Sequence, residues 1–127
     1  MSSRLVAGVD SSTQSTKVEV RDLDTGAVIA RGVAPHPATT PPRSEQDPQS
    51  WWAAFEAAWA TAGSPQVEAI SIAGQQHGMV VLDEARQVIR PAKLWNDTET
   101  APDAGWLLKQ LAGPVAWAEA VGSIVQI

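Results

Sequence analysis

A chain of 127 residues, 44% of them hydrophobic, is long enough to bury the core of one domain and too short for two complete ones. Nine basic against fourteen acidic residues give a formal charge of −5, with no run of Lys or Arg, which excludes a surface built to track a nucleic-acid backbone. The absence of cysteine excludes disulfides, thiolate metal sites and thiol nucleophiles, and fits a cytoplasmic compartment without requiring one.

Met1-Ser2-Ser3-Arg4 leads straight into an apolar run, without the apolar core and small-residue cleavage site of a signal peptide, and no segment reaches membrane-spanning length. The expectation is a soluble intracellular protein with no membrane partner. Asn96-Asp97-Thr98 matches a glycosylation acceptor that would then stay idle.

The first informative stretch is Leu5 to Val20. An apolar run ends in Asp10, passes through Ser11-Ser12-Thr13-Gln14-Ser15, and resumes at Thr16 with alternating apolar and polar positions, which reads as strand, tight turn, strand. Turns rich in Asp, Ser and Thr are common because these side chains hydrogen-bond their own backbone. Gly8 and the apolar lead into Asp10 point further, to a strand central in its sheet. A carboxylate at the tip of such a strand, beside short side chains that leave backbone N–H groups accessible, suits a phosphate and its Mg²⁺.

Asp24-Thr25-Gly26 supplies the next turn, and residues 27–33 read as a third strand completing an antiparallel meander. Five prolines between Pro35 and Pro48 make the following segment an extended, fixed loop. Asp47-Pro48 starts a helix to about Ala62, with Trp52, Phe55 and Trp59 at helical spacing, expected to pack against the sheet. Residues 67–73 form a strand that a helical crossover places parallel to the meander, so the sheet is mixed.

Gly74-Gln75-Gln76-His77-Gly78 is a polar break. A β-hairpin follows over Met79–Leu82 and Val88–Ile89, turning around Asp83-Glu84. Beyond Trp95-Asn96-Asp97, a helix starting near Pro102 presents Leu107, Leu108 and Leu111, and a short helical stretch around Trp117 and Val121 fades into residues 123–127.

Four segments, in this order and spacing, carry a resemblance over nearly the whole chain: residues 8–17 from Gly8 to Lys17, Ser44-Glu45-Gln46-Asp47-Pro48-Gln49-Ser50-Trp51-Trp52, Ile72-Ala73-Gly74-Gln75-Gln76-His77-Gly78, and Pro91-Ala92-Lys93-Leu94-Trp95-Asn96-Asp97. With them the chain resembles the N-terminal part of the FGGY carbohydrate kinases, most closely the members that act on D-xylulose. The resemblance implies an α/β, actin-like ATPase (ribonuclease H-like) fold with a mixed sheet, in which two domains enclose ATP and a sugar. It implies ATP-dependent phosphorylation of D-xylulose to D-xylulose 5-phosphate in xylose catabolism.

By the same resemblance, Asp10 would hold Mg²⁺ directly or through water, and Ser12, Thr13 and neighbouring backbone N–H groups would face the transferring phosphate. Lys17 would take the family's basic position, with a solvated strand residue as the alternative. Gln75, Gln76 and His77 would meet the sugar. Trp95, Asn96 and Asp97 would add an apolar wall and polar groups to that pocket, with a helix cap the alternative for Asp97. Gln76 stands where Met is frequent in D-xylulose kinases, and Ser12 where the family commonly has glycine.

Family chains are several times longer, so residues 1–127 are expected to be a partial first domain, incomplete at the C-terminus. The second domain, the adenosine-binding segments and the aspartate general base would all be absent. The isolated chain would then be inactive, and its open strand edges would favour self-association or homo-oligomers. The alternatives are a non-catalytic remnant that binds a sugar or a partner, and a family kinase for ribulose, fuculose, gluconate or glycerol.

Overall fold

The computed structural model describes residues 4–110 and 112–124. These residues form two compact units, one running to Ala38 and resuming over Glu45–Trp95, the other combining Thr39–Ser44 with the residues from Asn96 onward.

In the first unit, the alternating patterns become β1 (Leu5–Ser11), β2 (Ser15–Asp22) and β3 (Val28–Pro35). β5 (Ala69–Gly74) joins them after a short β4 (Glu45–Gln46) and a long helix. The sheet order is β3-β2-β1-β5, with both meander pairs antiparallel and β5 parallel to β1. The mixed sheet and the central place of Gly8 and Asp10 are as the sequence leads one to expect. β4 pairs with β6 (Ala92–Lys93) in a separate two-stranded sheet.

Pleating sends Ala7, Val9, Val18, Val20 and Ala34 to one buried face. That face is covered by α1 (Pro48–Thr61), which has Pro48 in its first turn and Asp47 as its cap, the Asp47 carboxylate accepting from the Gln49 N–H at 3.0 Å. Two members of the aromatic stripe, Phe55 and Trp59, pack against this core as expected, and Trp52 does not. The most buried contacts are made by Ala54, Ala58 and Ala62, because Gly32 on β3 lets the helix backbone approach closely. Trp52, Phe55 and Trp59 form a tilted ladder with centroids 5.3 and 5.7 Å apart; Phe55 and Trp59 border the core and Trp52 is largely exposed.

β5 is exposed along its whole length, Ile70 and Ile72 included. The hairpin expected over 79–89 is reduced to an isolated Leu82↔Val88 bridge, with Asp83 N–H donating to Gln87 O at 2.9 Å and Ile89 N–H to Val81 O at 3.0 Å. Arg86, at φ 63°, lies in the turn, where its N–H donates to Asp83 O at 3.0 Å.

The turn between β2 and β3 is organised by Asp22, whose carboxylate accepts from Thr25 N–H at 2.8 Å, Thr25 O–H at 2.9 Å and Asp24 N–H at 3.1 Å. The hydrogen bonds from Thr25 hold its pKa below the ordinary aspartate value. The neighbouring Glu19 is lowered by its hydrogen bonds from Arg31 first and Arg21 second. Both groups bind protons more weakly folded than unfolded, so their contribution to stability is present above the unfolded pKa and is lost as pH falls through the folded one. In a series of thermal melts, stability is expected to fall through the acid side of the carboxylate range, and Asp22→Asn to flatten part of that dependence.

The second unit contains α2 (Ala101–Gln110) and α3 (Pro114–Val121). Ala104 is buried, Leu107 and Leu108 are half-buried, and the Trp117 indole donates to Leu107 O at 2.9 Å. Leu111 and residues 125–127, included in the sequence reading of this region, lie outside the described residues. Among the described residues, no helix is long and apolar enough to cross a membrane.

Candidate functional site

Alternation along β1 sends Ala7 and Val9 towards α1 and Gly8 and Asp10 to the opposite face. There Asp10 lies opposite Lys17 of β2 and Ala73 of β5. The Lys17 ammonium is 3.6 Å from the Asp10 carboxylate, and both side chains are more than half exposed. A shallow depression of about 330 Å³ surrounds them, lined also by Gly8, Glu19, Ser71 and Ala73. An ion pair this exposed contributes only about 0–1 kcal/mol, so its significance is the charge it places beside the turn.

The turn is closed from within by Ser12, whose N–H and hydroxyl donate to Ser15 O at 3.1 and 3.2 Å. Ser12 is absent from the residues with positive φ, so the turn does not require the glycine common in the family pattern. The Ser12 hydroxyl is engaged inside the turn.

Thr13 is the meeting point. Its hydroxyl accepts from the Trp95 indole N–H at 3.0 Å and donates to Gln75 Oε1 at 3.4 Å. Parallel pairing of β5 with β1 brings both strands to their carboxyl ends together, and so delivers Gln75 to the turn. Trp95 arrives from β6, itself held by β4 and by the Met79 N–H donating to Lys93 O at 3.1 Å. Three residues from three motifs, far apart in sequence, thus share one hydroxyl.

Gln76 and His77 are exposed, and among the described residues neither side chain makes a hydrogen bond. His77 has φ 60°, an uncommon conformation for a non-glycine residue and one that recurs at ligand sites. Asn96 and Asp97 are occupied in the second unit: Asn96 Oδ1 accepts from the Ser44 hydroxyl at 2.7 Å, and the buried Asp97 carboxylate accepts from Ser44 N–H at 2.7 Å and Glu99 N–H at 3.1 Å. Asp97 therefore organises a turn ahead of α2 and does not cap it, since α2 begins only at Ala101.

Within the second motif, two buried residues received no role from the sequence. Ser44 is the donor just described, and Gln46, 3% exposed, reaches the turn from β4. Both sit in the Ser44–Trp52 motif, and a polar residue inside such a motif was the available signal. Glu45, between them, pairs with Arg90 and lies 3.2 Å from the Lys93 ammonium, tying β4 to the segment that carries Trp95.

Residues 5–118 match the profile of the FGGY family of carbohydrate kinases, N-terminal domain. The chain is 48% identical over 122 residues to the xylulose kinase of Streptomyces coelicolor, covering 94% of this chain and 25% of that relative. It is 55% identical over 98 residues to a xylulose kinase from Arthrobacter sp., covering 76% of this chain and 98% of that one. Its fold matches the crystal structure of xylulose kinase from Bifidobacterium adolescentis with a TM-score of 0.81 and 45% identity, over 97% of this chain and 27% of that structure. The fold is that of the N-terminal region of a sugar kinase with the actin-like ATPase architecture. The chain belongs to the FGGY family of carbohydrate kinases. It spans about a quarter of the length of the Streptomyces and Bifidobacterium proteins it matches.

Proposed function

We propose that the chain supplies the first phosphate-binding loop and part of the sugar pocket of a cytoplasmic kinase. The reaction transfers the γ-phosphoryl group of ATP to D-xylulose, giving D-xylulose 5-phosphate and ADP. The observation that carries this reading is Thr13, whose backbone belongs to the Asp10 turn while its hydroxyl engages Trp95 and Gln75. A kinase needs its phosphate loop and its acceptor pocket held in one geometry, because phosphoryl transfer depends chiefly on positioning and charge stabilisation.

In this reading Asp10 would hold Mg²⁺, directly or through water, and the residues present fit that ion: a single half-exposed carboxylate leaves room for the several waters Mg²⁺ usually keeps. Mg²⁺ bound there supplies neutralisation of phosphate charge. Lys17 balances Asp10 and lends positive charge to the turn. The backbone N–H groups of Thr13 and Gln14 meet phosphate oxygens. Gln75, Gln76 and His77 hydrogen-bond sugar hydroxyls, and Trp95 covers a C–H face. Asn96 and Asp97 fix the backbone beyond Trp95. The chain is part of the first of two domains, and no residue in it is assigned as the base that takes the proton from the sugar hydroxyl.

The test is a chimera in which residues 4–124 replace the matching quarter of the Streptomyces coelicolor xylulose kinase. ADP formation dependent on D-xylulose is the expected result. A folded chimera that is idle with D-xylulose overturns the reading, and one that prefers ribulose, gluconate or glycerol moves the assignment to another sugar within the family.

A further inference from the structure

We propose that Gln46 is a positioning residue: its buried side-chain amide sets the Thr13–Gln14 peptide so that the Gln14 N–H points out of the turn as a donor to an anion. Gln46 Nε2 donates to Thr13 O at 3.0 Å and to Pro37 O at 2.6 Å, while Oε1 accepts from the Trp51 indole N–H at 2.7 Å. This arrangement leaves no freedom to exchange the two ends of the amide. The carbonyls of Thr13 and Pro37 can only accept and an indole can only donate, so the NH₂ must face the carbonyls.

The orientation passes to the backbone through peptide planarity. In a trans peptide the carbonyl and the following N–H lie on opposite edges, and among the described residues the Thr13–Gln14 bond is not one of the cis peptides. With Thr13 O drawn inward to Gln46, the Gln14 N–H is directed away from the buried side. A second restraint acts one residue on, where His36 N–H donates to Gln14 O at 2.8 Å. Ser12 N–H is turned in to Ser15 O. Among the described residues, the N–H groups of Thr13 and Gln14 have no acceptor, and successive N–H groups of this kind form an anion-binding concavity.

That the anion is the transferring phosphate rests on the kinase reading; the peptide orientation does not. The two are separated by probing the ¹⁵N-labelled 127-residue chain with inorganic phosphate and the chimera with D-xylulose and ATP. Phosphate is expected to move the Thr13 and Gln14 amide resonances, and Gln46→Met to abolish the Gln14 response while the spectrum stays dispersed. In the chimera, Gln46→Met is expected to lower kcat by about tenfold or more with the sugar KM held within about twofold. Should Gln46→Met fail to fold, Trp51→Phe removes only the indole restraint on the amide and should weaken the Gln14 response about two- to threefold.

A Gln14 amide unmoved by phosphate in the unmodified chain, or moved equally in the variants, overturns the proposal. So does an active chimera whose kcat ignores Gln46→Met. An idle chimera alongside the expected phosphate response removes the kinase reading and leaves the role of Gln46 standing.

Discussion

Asp10→Asn in the chimera is expected to lower kcat by about 100-fold while leaving the KM for D-xylulose within about threefold. The substitution keeps the size and hydrogen-bonding reach of the side chain and removes its charge, so the strand and turn should stay intact. On the proposed function the substitution removes the group that would hold Mg²⁺. The 3.6 Å pair adds a second consequence: Lys17 is left as an uncompensated cation beside the turn, so metal-free ATP should bind no more weakly than before. His77→Ala is the contrasting variant: the side chain is exposed and distant in sequence from the turn, and its loss is expected to raise the sugar KM about tenfold with a smaller change in kcat. Steady-state kinetics with both substrates varied distinguishes the two patterns, and their exchange between the variants would refute both assignments.

Gly32→Val is expected to be the most destabilising single change in the sheet. A Cβ at Gly32 would stand 1.8 Å from Ala58 O, 2.8 Å from Ala58 C and 3.0 Å from Ala62 N, backbone atoms of α1 and its C-cap that no rotamer change can move aside. The helix must shift off the core formed with Ala54 and Ala58, and overpacking of this severity costs about 3 kcal/mol or more. Tryptophan fluorescence during heating should report a midpoint lower by about 10 °C, or no folded baseline at all. Gly105→Ala is the matched control. Nothing lies within 4 Å of its added methyl group, and replacing glycine inside a helix should be neutral or stabilising by up to about 1 kcal/mol. Equal losses in the two variants would contradict the close approach of α1 to β3.

The parts of this fold that were legible in the sequence are those governed by local chemistry. Alternation from Leu5 to Val20 located two strands and the turn between them, and Asp47-Pro48 marked the start of α1 correctly. The contact face of α1 was read in part: Phe55 and Trp59 pack against the core as their spacing indicated, while Trp52 is exposed and the buried Ala54, Ala58 and Ala62 went unread. What decided the outcome was Gly32, some twenty residues earlier, whose missing side chain selects alanines for the interface. The site divides in the same way. Asp10 was singled out as the acid ending an apolar strand and Lys17 only through the family resemblance; that the two face each other follows from strand register, which the sequence reading did not use. Gln46 was not legible, because its part depends on Thr13, Pro37 and Trp51 converging from three places in the chain, which no spacing rule encodes. Asp97 was read as a pocket residue or a helix cap, and its partner Ser44 lies 53 residues away.

On the proposed function, the single hydroxyl shared by Trp95 and Gln75 couples the sugar side of the site to the phosphate side. Whatever settles against Trp95 and shifts its indole alters the partners of Thr13, and whatever draws on the turn alters the restraint on Trp95. The free energy of that exchange belongs to both binding events at once. By reciprocity, a first ligand that strengthens the second by some factor is strengthened by the same factor in return, whichever arrives first. Synergy of this kind needs no moving domain and no distant relay, only one threonine with two partners.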